Sequence, residues 1–293
     1  MGSNAMAYES PAALRQALET RLGNRSRETG IDLERLRRRA AFERLLVRLE
    51  LGAPHRWVVK GGMALEIRLG DRARSTRDLD LALRDAQGDG SSVRELLIDC
   101  LSVAREEDGF EFLVGEPTTI TLDEAGRPGW RFPVESRMAG RKFANVRLDV
   151  VARDDEIAKT QRVELPGVLD FAGLARHDVE AVDPAQHFAE KVHAFTRTYG
   201  ERPNTRVRDL PDMVLLIDDG LEPTPELFSI VSRLFDARAN AAMPVELPDP
   251  PSFWHENYPA LAADLDFSAK TLDDAMTLVR AFWAALLRHK EAD

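Results

Sequence analysis

Two segments of the chain alternate so strictly that they leave little choice of fold. In "RDLDLAL" (residues 77–83), Leu79, Leu81 and Leu83 fall on one side of an extended strand and Asp78 and Asp80 on the other. In "RKFANVRLDVVA" (141–152), Ala144, Val146, Leu148 and Val150 face one way, and Asn145, Arg147 and Asp149 the other. Each segment therefore belongs in a sheet with one buried face and one polar face. On both polar faces the acids sit among leucine-type neighbours, where nothing about packing asks for them.

The surrounding sequence supplies the rest of an α+β unit. Residues 10–22 and 31–50 have helical spacing, with Leu33, Leu36, Ala40, Leu45 and Leu49 as an apolar stripe. "HRWVVKGG" reads as a short strand running into a glycine turn, and "MALEIRL" restarts as a helix. "SSVRELLIDCLSVAREE" reads as a helix opened by Ser92, with Glu95 completing a capping box. "TTITLDEAGRPGWRFPVE" reads as two strands joined by a Gly/Pro turn, and "VEAV" as a last short strand. Asp183 and Pro184 then have the character of an N-cap and first helical residue, after which the pattern is helical to the end. We expect a mixed sheet flanked by helices over residues 6–182 and an all-helical domain over 183–293, with residues 1–5, "MGSNA", an expression-tag remnant.

Composition narrows the class of function. The single cysteine, Cys100, excludes an internal disulfide and a cysteine-based zinc site, and it favours a reducing, cytoplasmic location. No apolar run approaches the length of a membrane span. The net charge of −10 argues against a general nucleic-acid binder, but the charge is uneven. Residues 1–84 carry 17 Lys and Arg against 11 Asp and Glu, and the excess includes "RLRRRAAFERLLVR". That stretch reads either as a solvated helix face or as a local landing strip for a polyanion.

Asp78 and Asp80, at i and i+2 of a strand, can grip the same cation, and Mg²⁺ completes its shell with water and phosphate oxygens. That chemistry suits phosphoryl or nucleotidyl transfer, for which Asp149 is the best third carboxylate. Gly61 and Gly62, turning from a strand into a helix, would let backbone N–H groups cradle a triphosphate, with Arg74, Ser75 and Arg77 close by. Each part alone has an ordinary explanation: a tight turn, a decorated surface, a sheet-edge ion pair. The conjunction points to a metal–nucleotide site. "HFAEKVH" is not a metal motif, because His187 and His193 diverge on a helix, whereas His187 and Lys191 share a face.

Gly-Gly, a spacer, then Asp-apolar-Asp resembles the polymerase-β-like nucleotidyltransferase superfamily. More narrowly, "KGGMAL…RSTRDLDLAL", "VRLDVVA", "AEKVHAF" and "TRVRDLPDM" resemble the AbiEii/AbiGii nucleotidyltransferase toxins over about residues 56–217. Two departures stand out: fifteen residues separate Gly62 from Asp78, and Met63 replaces a small hydroxyl residue. The resemblance implies Asp78, Asp80 and Asp149 as metal ligands, with Asp80 and Asp149 also catalytic. It implies Lys60, Gly61, Gly62, Ser75, Arg77 and Lys191 as nucleotide-binding. Lys191 would reach the triphosphate, and Asp209, in preference to Asp212, would be a further catalytic acid. The bland reading of Lys191 is a solvated lysine.

By that resemblance the chain is expected to be a toxin that uses Mg²⁺ or Mn²⁺ to move a nucleoside monophosphate from an NTP to an acceptor hydroxyl. The 3′ end of tRNA, or another RNA, would be the acceptor, and a helix-turn-helix antitoxin the partner. The alternatives are transfer to a protein hydroxyl or a small alcohol, an inactive NTP-sensing domain, and hydrolysis without an acceptor.

Overall fold

The computed structural model describes residues 8–103, 108–120, 128–152, 159–198, 200–238, 242–263, 265 and 267–291. The chain begins with two helices whose ends are written in their sequence. Helix α1 (Pro11–Thr29) starts where the Ser10 side chain accepts from the Ala13 N–H, and it stops at Gly30 in the left-handed region. Helix α2 (Leu33–Gly52) is capped by Asp32 and is buried almost continuously from Ala40 to Leu49. Strand β1 (Trp57–Lys60) runs directly into α3 (Gly61–Leu69), and β2 (Asp78–Leu83) follows.

Helix α4 (Gly90–Leu101) corrects the capping-box expectation. Its N-cap is Asp89, whose carboxylate accepts from the Ser91 and Ser92 N–H groups at 2.9 and 3.1 Å. A carboxylate at the positive end of a helix is the stronger acceptor, so the helix starts three residues earlier than the serine would set it. Strands β3 (Phe110–Val114), β4 (Thr118–Ile120), β5 (Gly129–Met138), β6 (Arg141–Ala152), β7 (Thr160–Glu164) and β8 (Asp178–Val182) complete the sheet. The turn expected between β4 and β5 falls outside the described residues. Strands β3 and β7 carry no clean alternation and went unread in the sequence.

The described strands form one mixed sheet in the order β3-β5-β6-β2-β1-β8-β7, with β4 also on β5. Its centre decides the chemistry. Strand β2 is parallel to β6 and antiparallel to β1, so Asp80 lies opposite Asp149 on one side and Lys60 on the other. One face is covered by α1, α2 and α4, with Leu14, Leu18, Leu45, Leu49, Leu97 and Cys100 in its core.

The helices that follow are α5 (Pro184–Thr196), α6 (Asp209–Asp218), α7 (Pro225–Ala237), α8 (Trp254–Ala262) and α9 (Leu272–Leu287). As its sequence implies, α5 is capped by Asp183 with Pro184 in the first turn. These helices gather around Phe188, Trp254, Tyr258 and Trp283, a second apolar cluster that also takes in Leu65, Leu69 and Ala73. Helix α3 thus belongs to both cores: Met63 and Ala64 face the sheet cluster, Leu65 and Leu69 the helical one.

Candidate active site

A cleft of about 1290 Å³ opens where the start of α2, the segment 71–80, α5 and the segment 205–209 meet. Of the residues singled out in the sequence, Gly62, Arg74, Ser75, Arg77, Asp78, Asp80, Lys191 and Asp209 line it, whereas Lys60, Gly61 and Asp149 lie outside its lining. Asp80 stands at its centre. Burial, the facing Asp149 and the nearby Asp78 push the Asp80 carboxyl up to about 6, against the opposing pull of Lys191 and Lys60.

Gly61 is required by that arrangement. Its φ is +57°, and a Cβ built there would sit 2.0 Å from Asp80 Oδ2. A Cβ on Gly62 would approach the Thr76 side chain at 3.1 Å and Arg74 Nη2 at 3.3 Å. The glycine pair therefore lets the 74–80 segment fold down onto the start of α3. This is a tighter demand than a turn alone would make. Lys60, the residue before α3, makes no side-chain cap and instead reaches Glu190 of α5 at 2.7 Å.

The acids flanking Asp80 each carry an arginine. Asp149 receives two hydrogen bonds from Arg131, at 2.7 and 2.6 Å, and Asp78 one from Arg147 at 2.6 Å. Among the described residues no three carboxylate, histidine or cysteine side chains converge closely enough to hold a metal as they stand. The donor set nonetheless fits a hard dication. Three carboxylates share one sheet face, two already draw in a cation of the protein's own, and the third is raised above the ordinary carboxylate range by burial first and by its negative neighbours next.

Lys191 is not a solvated lysine. It is buried, and its Nζ lies 2.8 Å from both Asp209 and Asp212. Burial works against its charge, but the two carboxylates outweigh burial and raise its pKa. Asp212 is fully buried and is also held by Arg74 Nε and Nη2 at 2.7 and 2.8 Å. Burial would raise the Asp212 pKa, yet Lys191 and Arg74 bring it far down. Asp209 takes Arg206 at 2.6 Å and is lowered in the same way. Both acids of "RDLPDM", three apart on α6, thus face the same lysine; Asp209 borders the cleft and Asp212 anchors Arg74 behind it. His187, one turn before Lys191, is fully buried with neither ring nitrogen bonded, and burial followed by the Lys191 charge pushes it down to about 3.

Glu190, Arg131 and the cleft-lining Arg208 went unread in the sequence, and of the basic stretch that was read there, Arg35 and Arg38 line the cleft. Arg131 carried a usable signal, since it alternates onto the same side of its strand as the acids of the next one. Glu190 carried none.

The model of the family described as nucleotidyl transferase AbiEii toxin, type IV TA system, matches residues 44–288. The chain belongs to that family. It is a nucleotidyltransferase, and a type IV toxin–antitoxin family implies a cognate antitoxin. The match reaches through the C-terminal helices, well beyond the motifs that suggested the family. No curated protein matches the sequence. Among solved structures, a protein from H. pylori provisionally assigned as a nucleotidyltransferase is 18% identical, with 87% of this chain and 94% of that one covered and a TM-score of 0.43. An antigenic nucleotidyltransferase-like protein from Paracoccidioides brasiliensis is also 18% identical, covering 80% and 98% with a TM-score of 0.40. The CD-NTase CdnG of Bradyrhizobium diazoefficiens, in complex with GTP, is 14% identical, covering 97% and 90% with a TM-score of 0.26.

Proposed function

We propose that this AbiEii-family chain transfers a nucleoside monophosphate from an NTP to a hydroxyl at the 3′ end of an RNA, with tRNA as the acceptor, and so blocks translation. The observation that carries the reading is the register of Asp80 against Asp149 on parallel strands, with Asp78 beside them and the start of α3 backed onto Asp80. Asp78 and Asp80 line a cleft of about 1290 Å³ at a helix N-terminus, with Asp149 beside Asp80 on the next strand, and this suits a triphosphate and a second substrate together.

Asp78, Asp80 and Asp149 would hold Mg²⁺ or Mn²⁺, which when bound would neutralise phosphate charge and acidify the acceptor hydroxyl. The N–H groups at the start of α3 and the side chain of Ser75 would orient the triphosphate, with Arg77 at the mouth of the cleft between the triphosphate and the acceptor. The acceptor oxygen attacks the α-phosphorus, its proton passes to a carboxylate of the acidic group, and the bond to the β-phosphate oxygen breaks to release pyrophosphate. Lys191, fixed by Asp209 and Asp212, would present positive charge to the departing pyrophosphate from the helical side. Domain boundaries at residues 182 and 183 would put the cleft between the two units. A cytoplasmic location and a helix-turn-helix antitoxin follow from the same reading. The deciding experiment incubates the protein with each labelled NTP, Mg²⁺ and total RNA. Label in a tRNA-sized band, lost in Asp80→Asn, supports the proposal; label in protein alone overturns the RNA acceptor.

A further inference from the structure

A second groove, of about 790 Å³, meets the active-site cleft at Arg38 and Arg77, which line both. It crosses β5 and β6, where it is lined by Arg137 (paired with Glu135), Asn145, Arg147 (paired with Asp78) and Leu113 of β3, which is 48% exposed. The basic stretch at the start of α2 explains why Arg38 matters. Arg35 and Arg39 are held by Glu66, Arg37 by Glu19 and Glu34, and Arg44 and Arg48 by the buried Asp108. Only Arg38 of that stretch has no ion-pair or hydrogen-bond partner among the described residues, and its Nε is buried without an acceptor. Arg77, across the junction, likewise has no partner among the described residues. Two guanidinium groups without partners among the described residues, at the mouth of a groove, are open to anions, and the planar donor fork of arginine fits a phosphodiester.

We infer that this groove is the track along which a single-stranded polyribonucleotide enters the cleft. Its last phosphodiesters lie between Arg38 and Arg77, and the preceding nucleotides run over Arg147 towards Arg137. Leu113 offers an apolar surface for a base. The inference rests on an RNA acceptor, and it adds where that strand lies. A small alcohol has no use for two spaced cations, and the triphosphate is accounted for at the start of α3.

The test is fluorescence anisotropy with a labelled single-stranded RNA of about 12 nucleotides, across a salt series. Arg38→Gln should weaken binding about tenfold and reduce the salt slope by roughly 0.7, the share of one phosphate on a single strand. Arg137→Glu, at the exposed far end, tests the track without touching a buried group and should weaken binding about fivefold to tenfold by the same electrostatic argument. Affinity for a non-hydrolysable NTP should stay within about twofold in Arg137→Glu, since a charge that far along the groove is screened from the cleft. If both variants bind RNA as the wild type does, the track is wrong while the RNA-acceptor reading stands. If the wild type binds no RNA and labels only a protein or a small alcohol, both fall.

Discussion

Asp80 is the residue on which the site turns, and its own titration offers a check that needs no substrate. Its folded pKa of about 6 lies above the ordinary aspartate value of 3.8, so the folded chain holds this proton more tightly than the unfolded one. Stability of the metal-free protein should therefore fall as pH rises through that window, by about 1–3 kcal/mol. Asp80→Asn removes the titration: at pH 7.5 the metal-free variant should melt higher than the wild type while losing transfer altogether. Added Mg²⁺ or Mn²⁺ should raise the melting temperature of the wild type and leave the variant nearly unmoved. A wild type indifferent to both metals would argue against the acidic group as their site. Gly61 makes a companion prediction. Alanine there meets a positive φ and the Asp80 carboxylate at once, so Gly61→Ala should cost about 1–3 kcal/mol and most of the activity. Denaturant titration beside an NTP-turnover assay reads both.

At the scale of elements, α5 and α6 are joined by a charge cluster rather than by apolar contact alone. Lys191 of α5 holds Asp209 and Asp212 of α6, and Arg74, from the segment before β2, holds Asp212 from the other side. Removing the lysine leaves two buried carboxylates short of a cation. Lys191→Ala should thus destabilise the protein by about 3 kcal/mol at pH 7, the size expected when one partner of a buried pair is lost. The sign with pH follows from the lowered carboxylate pKa values: the deficit should shrink as pH falls below about 4, where the acids of the unfolded chain take up protons while those of the folded wild type still hold their charge. Paired urea melts at pH 7 and pH 3.5 measure it. A solvated lysine would show no deficit at either pH, so this one measurement separates the two pictures of the residue.

For the whole molecule, α3 is the joint. It follows β1 without a loop, presents the start of its backbone to the cleft, and sends Leu65 and Leu69 into the helical cluster. The proposed boundary at residues 182 and 183 therefore has α3 working on both sides of it. Residues 6–182 alone would expose Leu65, Leu69 and Ala73, and that fragment should bind a hydrophobic dye and aggregate where the full chain does not. Leu65→Ala in the full chain should cost about 2–5 kcal/mol, the range for a truncated core leucine. It should shift a single melting transition rather than split it, since both clusters lose a shared element. Differential scanning calorimetry distinguishes one transition from two.

The sequence by itself determined the acidic strands, the glycine turn between β1 and α3, the Asp183 cap of α5 and the family, because each is a local pattern. Alternation, a cap and a turn are set by residues within a few positions of one another, and a short chain segment suffices to read them. The tertiary structure decided what those residues touch. That Asp80 stands against Asp149 depends on β6 pairing in parallel beside β2, a crossover across nearly seventy residues that no local spacing specifies. That Lys191 is buried, that Lys60 belongs to Glu190, and that Arg38 alone of its basic stretch is left without a partner among the described residues depend on which distant carboxylates arrive beside them. Charge is read from composition, but pairing is a matter of distance, and only the folded chain sets distances.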